Sequence, residues 1–134
     1  MFNGLAILKT ASALAGHASA RQAVIARNIA NADTPGYVAR DLADFRDVMA
    51  EERLSSVAGG LRTSRSGHLA ASHFAEDPGV METETPGDAS PNGNTVSLET
   101  EMIKATEVRQ QHDLALATYR GGLDLLRTAL GRGR

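Results

Sequence analysis

A long amphipathic segment is brought to a stop by ten residues, Asn28-Ile29-Ala30-Asn31-Ala32-Asp33-Thr34-Pro35-Gly36-Tyr37. Pro35 has no amide proton and its ring disfavours helical geometry at Thr34, so a helix arriving from the N-terminus ends at or before Asp33. Pro35 and Gly36 suit the central pair of a type II turn, proline fixing φ and glycine accepting a positive φ. Asn28 and Asn31 lie one turn apart, which puts both carboxamides on the same side just before the exit. Upstream, apolar or small residues recur at Leu5, Leu8, Ala11, Ala15, Ala18, Ile25 and Ile29, with Gln22 as the interruption and Leu14 beside them. That spacing is one face of an α-helix, with Arg21 and Arg27 outside the stripe. Its small side chains admit a partner helix at close range, which favours a packed seam over a helix lying on a membrane. Asn3 and Gly4 predict a frayed start.

The opposite end of the chain mirrors this design. Ser97 is a good N-cap, with Glu99 and Glu101 at the positive end of the helix it opens. Steps of four and three then run through Leu98, Met102, Ala105, Arg109, His112, Leu116, Tyr119, Leu123, Leu126 and Leu130. This is a heptad series of the coiled-coil type, in which the polar pair Arg109 and His112 sets register at some cost in stability. Gly131 ends the helix, and Arg127, Arg132 and Arg134 complement its negative end. Gly121-Gly122 is the weak point: each glycine costs a helix interior about 1 kcal/mol relative to alanine.

Between the two ends the pattern breaks up. Val38 to Asp41 reads as extended, and Asp41 or Asp44 caps a short helix through Glu52 that carries Leu42, Phe45, Val48 and Met49 on one side. Gly59-Gly60 ends it. Residues 61–95 hold Pro78, Pro86 and Pro91, each followed by Gly or Asn-Gly at turn spacing. No Lys or Arg occurs between Arg65 and Lys104, whereas Glu76, Asp77, Glu82, Glu84 and Asp88 do. Short β-like pieces fit Leu61–Thr63 and Val80–Thr83. Low hydrophobicity with charge of one sign marks a solvated insertion, or a segment ordered only against a neighbour.

Composition limits what these parts can build. The 134 residues are 42% hydrophobic but only 4% aromatic, without tryptophan, so narrow helix–helix seams replace a thick core. A net charge of −2 gives no field for nucleic acid or an anionic membrane. No apolar run reaches the roughly 18 residues of a bilayer span. Lys9, His17, Arg21 and Arg27 interrupt any apolar core of a cleaved secretory signal. The absence of cysteine excludes disulfides and thiolate chemistry.

No active site is legible either. His68 and His73, beside Glu76 and Asp77, lack the spacing of a zinc site. Ser64, Ser66 and His68 form no triad signature. Gly59-Gly60 lacks the strand and the Lys-Ser/Thr of a phosphate loop. His17 and His112 lie on the long helices, where neighbouring groups satisfy them. The expectation is no catalytic residue, no metal and no cofactor.

The segment Ala30, Asn31, Thr34, Pro35, Gly36 and Tyr37 resembles the Ala-Asn-x-x-Thr-Pro-Gly-Tyr signature of the flagellar axial proteins, the rod, hook and hook-associated subunits. Asn92-Gly93-Asn94-Thr95-Val96-Ser97-Leu98-Glu99-Thr100-Glu101-Met102 is similar to the asparagine-rich entrance to the C-terminal helix in a proximal-rod member, and Arg127-Thr128-Ala129-Leu130 fits it too. The middle of the chain carries little of this likeness, and Gly121-Gly122 departs from it.

Together these readings give a mainly α protein. Long N- and C-terminal helices pair as a coiled-coil-like hairpin, with a short second helix and an irregular, partly extended or disordered middle. The organisation is 1–37, the N-terminal helix and turn; 38–95, the middle insertion; and 96–134, the C-terminal heptad helix. The turn set is Asn28, Asn31, Thr34, Pro35, Gly36 and Tyr37. The helix-packing and assembly set is Leu14, Ile25, Ile29, Leu98, Met102, Leu116, Tyr119, Leu123 and Leu126. So thin a hairpin is marginal alone, and neighbouring subunits supply the missing contacts.

The resemblance implies a structural subunit of the basal-body rod that leaves through the flagellar export apparatus without a cleaved signal and crosses the periplasm as part of the rod. Its partners would be copies of itself, other rod proteins, the adaptor joining the rod to the membrane ring and the export apparatus. Nucleic acid and a membrane span are excluded from that set. The alternatives are another axial rod subunit, or a cytoplasmic coiled-coil adaptor or export chaperone.

Overall fold

The computed structural model describes residues 2–57, 82–85 and 89–131. Two long helices dominate it: α1, Phe2–Ala30, and a last helix, Leu98–Ala129. At 1.5 Å per residue they are about 44 and 48 Å long. They lie side by side and antiparallel, since Leu8 meets Gly122 at one end and Asn28 meets Glu101 at the other. Between them come β1, Arg40–Leu42, α2, Phe45–Val57, and β2, Glu82–Glu84; the last helix is therefore α3.

The strands form a two-stranded antiparallel ribbon with Arg40 opposite Glu84, Asp41 opposite Thr83 and Leu42 opposite Glu82. Thr85 N–H extends the ladder by donating to the Ala39 carbonyl at 2.9 Å. The ribbon packs on α1, so the N-terminal helix is covered on two sides. Of the Val80–Thr83 stretch, Glu82 and Thr83 lie in β2, which continues to Glu84, while residues 80 and 81 lie outside the described residues; the early extended stretch reaches Leu42. Leu42 accordingly belongs to β1 rather than to the apolar side of α2. Of the two candidate caps, Asp44 takes the place before α2, its carbonyl accepting from Asp47 and Val48 N–H. That helix runs beyond Glu52, to Val57. Gly59-Gly60, the Leu61–Thr63 strand and the groups around His68 and His73 lie outside the described residues.

The core is as thin as the composition requires. Ala18, Ile25 and Val108 form its centre, with Ile29 and Ala105 packed against them. On α1 the stripe through Ala11, Ala18 and Ile25 faces α3, as spaced. On α3 the seam is turned by one residue at every second position. Glu101, Val108 and Ala115 are the buried residues of this helix. Ala105, His112 and Leu126 stay close to the seam as expected. Leu116 and Leu123 are half-buried at its edge, while Leu98, Met102 and Tyr119 are exposed in the single chain.

The reason for this correction is size. Val108, Ala115 and Gly122 let the helix axes come close, whereas the bulkier set would hold them apart. The α3 helix continues unbroken through Gly121-Gly122, and a Cβ built on Gly122 would sit 2.9 Å from Leu8 Cδ2. Gly122 is thus a contact glycine, while Gly121 faces open space. Replacing Gly121 with alanine should stabilise α3 by about 0.5–1 kcal/mol, and Gly122→Ala should gain less because Leu8 must move. Thermal melts of the two variants, followed by far-UV circular dichroism, check the order.

Candidate functional site

The turn set and the start of α3 fold into one knot of polar groups. α1 tightens as it ends, with Ala32 N–H bonding to Ile29 O and Thr34 N–H to Asn31 O. Tyr37 N–H then reaches back to Thr34 O at 3.3 Å, closing the turn around Pro35 and Gly36. Gly36 has φ +71°, the left-handed value that a type II turn demands at this place. Asn31 holds the turn from within, donating to Arg27 O at 2.8 Å and accepting from Thr34 Oγ1 at 3.2 Å.

The partner of this turn is the loop before α3. Gly93 N–H bonds to Ser90 O, and Gly93 takes φ +78° directly against Gly36, its nearest neighbour being Gly36 Cα at 3.5 Å from a built Cβ. Buried Asn94 then inserts its carboxamide under the turn. Its Nδ2 lies 2.9, 2.8 and 2.8 Å from the carbonyls of Asn31, Ala32 and Thr34, and its Oδ1 accepts from Val96 N–H. Two amide hydrogens serve three carbonyls, so at least one bond is shared. Gly36 N–H to Asn92 O, Thr95 N–H to Tyr37 O and Ala39 N–H to Thr95 Oγ1 complete the join.

Asn28 and Asn31 have different roles. Asn28 is fully buried and faces α3 and β1. Its Nδ2 donates to Arg40 O at 2.6 Å and to Glu101 Oε2 at 2.9 Å, while its Oδ1 accepts from Arg40 N–H and Tyr37 Oη at 3.2 Å each. Glu101 passes the contact on through Lys104 Nζ at 3.1 Å, and Lys104 reaches Asp41 Oδ2 at 3.1 Å. Arg21 clamps Asp41 from the other side with two parallel bonds of 2.7 and 3.0 Å. One chain of charges and amides therefore ties α1, β1 and α3 together.

The protonation states follow from these contacts. Burial works to raise the Asp41 pKa, but hydrogen bonds from Arg21 and Lys104 and from the Leu42 amide outweigh it and hold Asp41 below the usual carboxylate range. Burial likewise works to lower Lys104, yet Asp41 and Glu101 keep its pKa raised. At the ribbon's edge, hydrogen bonding to Arg27 at 2.7 Å lowers the Glu82 pKa, with Arg40 adding to it. His17 sits beneath α2, donating from Nε2 to Ala43 O at 2.9 Å and tilting against the Phe45 ring.

Sequence reasoning found the turn residues and missed the charges. Arg21, expected outside the stripe, lies on a second buried face of α1 with His17, Val24 and Asn28. Glu101, expected as an exposed charge at the helix start, is 2% exposed, and it takes the register-setting place assigned to Arg109 and His112. The overlooked signal is Arg21, Asn28, Asp41, Glu101 and Lys104 at places that fall one helical turn apart or opposite one another once the hairpin closes. Ser97 does cap α3, accepting from Thr100 N–H, and Gly131 at φ +65° ends it. Among the described residues no group of three His, Asp or Glu side chains suits a metal ion, and no helix is long and apolar enough to cross a membrane. The arrangement joins helices.

Residues 10–37, which are the body of α1 and the whole turn, match the family model for the flagella basal body rod protein. Over 110 residues the chain is 34% identical to the flagellar basal body rod protein FlgB of Agrobacterium fabrum, covering 81% of this chain and 80% of the relative. The chain belongs to the FlgB family. FlgB of Escherichia coli is 30% identical over 116 residues, 84% of each chain, and FlgB of Salmonella typhimurium 31% identical over 99 residues, 72% of each. Alignment over four-fifths of the length brings in α3 as well as the turn, so the FlgB likeness spans both halves of the knot.

Two outcomes test its energetics. Asn28→Leu leaves Glu101 and the Arg40 backbone without their buried partner and should cost about 2–3 kcal/mol, with Asn31→Leu costing less because Asn31 is partly solvated. Denaturant unfolding of the two variants separates them. Because the Asp41 pKa is depressed on folding, its stabilisation is present above the unfolded aspartate value, near 3.9, and is lost as pH falls through the lower folded value. Asp41→Asn should therefore be less stable at neutral pH and show a flatter acid dependence than the parent, measured as helicity against pH.

Proposed function

We propose that this FlgB-family chain is a structural subunit of the proximal rod of the bacterial flagellar basal body. In this reading it transmits torque mechanically and turns over no substrate. The observation that carries it is the alignment with FlgB relatives along four-fifths of the chain. The thin seam supports it physically. Eight apolar side chains are buried among the described residues, four of them alanines, which is little to hold two helices of 29 and 32 residues. Such a hairpin completes its burial against neighbours.

The division of labour proposed here follows the three segments. Residues 1–37 and 96–134 pack in the rod, and 38–95 link them. The turn set fixes where α1 stops, and Leu14, Ile25 and Ile29 hold α1 in its bundle. Leu98, Met102 and Tyr119, exposed in one chain, contact neighbouring subunits, with Leu116, Leu123 and Leu126 at the seam's border. The partners are copies of the chain and other rod proteins, then the adaptor to the membrane ring and the export apparatus that delivers it. A subunit loose alone and ordered among its neighbours suits such delivery.

Purified chain in dilute solution should show low helicity that rises with concentration; a sharp melt independent of concentration counts against assembly-coupled folding. Replacing both Pro35 and Gly36 with alanine lets α1 run on past the Asn94 cradle and should abolish motility in the host cells. Normal swimming by that variant removes the role given to the turn. Recovery of the chain in purified basal bodies, rather than in the cytoplasm, separates a rod subunit from a soluble adaptor.

A further inference from the structure

One face of α3 takes no part in the knot or the seam. Ile103, Leu114 and Leu125 are 57%, 63% and 73% exposed and follow one another at eleven-residue intervals. Eleven residues make three helical turns with about 20° to spare, so the three form a nearly straight ridge. It points away from Val108 and Ala115. The polar and small residues among them, Glu99, Glu107, Gln110, Ala117 and Gly121, are all exposed and include no cation.

The outer face of α1 is its opposite in size and charge. Away from α3 it shows Ser12, Gly16, Ser19, Ala23 and Ala26, all exposed, with Lys9 and Arg27 beside them. The helix carries no Asp or Glu anywhere along its length. We infer that the exposed ridge of α3, Ile103–Leu114–Leu125, docks on the outer face of α1 of a second copy, its Glu107 meeting that copy's Lys9. This deepens the rod-subunit reading and rests on it.

Three observations favour this occupant. Large side chains fit where the opposite helix is small, as Leu8 over Gly122 already shows within the chain. Charge complementarity runs the same way, since the exposed acids beside the ridge meet a helix that has no acid of its own. The two surfaces also lie on different helices of one molecule, so the contact is head-to-tail and repeats without closing. An open series of identical contacts is what a rod requires.

The absence of cysteine makes the test direct. Leu114→Cys is combined in turn with Ser19→Cys, Ala23→Cys and Ala26→Cys, and basal bodies from the host cells are oxidised. At least one pair should give a ladder of dimers and higher oligomers, and each single variant none. Dimers from Leu114→Cys alone mean self-pairing of the ridge, and monomers from every pair mean that another segment or another protein covers it; either result overturns the inference while leaving a rod subunit in place. Absence of the parent chain from basal bodies defeats the rod reading itself. As a second readout, Leu114→Glu should leave the helicity of the free chain unchanged and lower its incorporation at least tenfold; unchanged incorporation overturns the ridge's role.

Discussion

A single buried carboxamide decides how this molecule is assembled. Asn28 has no exposed surface and spends its amide on Glu101 of α3 and on the β1 backbone, while its oxygen holds Tyr37 and Arg40. An apolar seam of alanines, Val108 and two isoleucines has few features along its length, and sliding one helix past the other by a turn would change its burial little. The polar contact removes that freedom, because any other register strands Glu101 and Asn28 without partners. Buried hydrogen-bonded groups that contribute specificity more than stability are known from coiled coils, and the geometry here has the same logic.

From that point the knot extends in two directions. Through Glu101, Lys104, Asp41 and Arg21 it fastens the β ribbon to both helices. Through Tyr37 it reaches the Pro35-Gly36 turn, which Asn94 holds from the other side of the chain. The paired positive-φ glycines, Gly36 and Gly93, are where the two turns touch, and a side chain on either would strain the backbone, although a Cβ at neither place would clash. The end of the hairpin near Asn28 is therefore specified in detail, whereas the far end, around Leu8 and Gly122, is held by size alone.

This asymmetry accounts for what the molecule leaves uncovered. The polar knot uses one edge of α3 and the alanine seam a second, so that Met102, Ile103, Leu114 and Leu125 remain in solvent. In the reading proposed above, this apolar surface meets neighbouring subunits, and stability and assembly then become one equilibrium.

The sequence by itself determined the elements that depend on local chemistry. Pro35 and Gly36 stop α1, Ser97 starts α3 and Gly131 ends it, because caps and turns are decided by the residue and its immediate neighbours. The periodicity also gave the paired terminal helices and the apolar face of α1. Only the tertiary structure decided which edge of α3 meets that face. Hydrophobic weight along α3 favoured Leu98, Met102, Leu116 and Leu123, but close approach of two backbones favours Val108, Ala115 and Gly122. Nor was the burial of Glu101 or Arg21 legible, since a charge is tolerable inside only when its partners arrive from elsewhere in the chain. Asp41 and Asn28 provide those partners across 20 and 73 residues of sequence, distances over which no local pattern carries information.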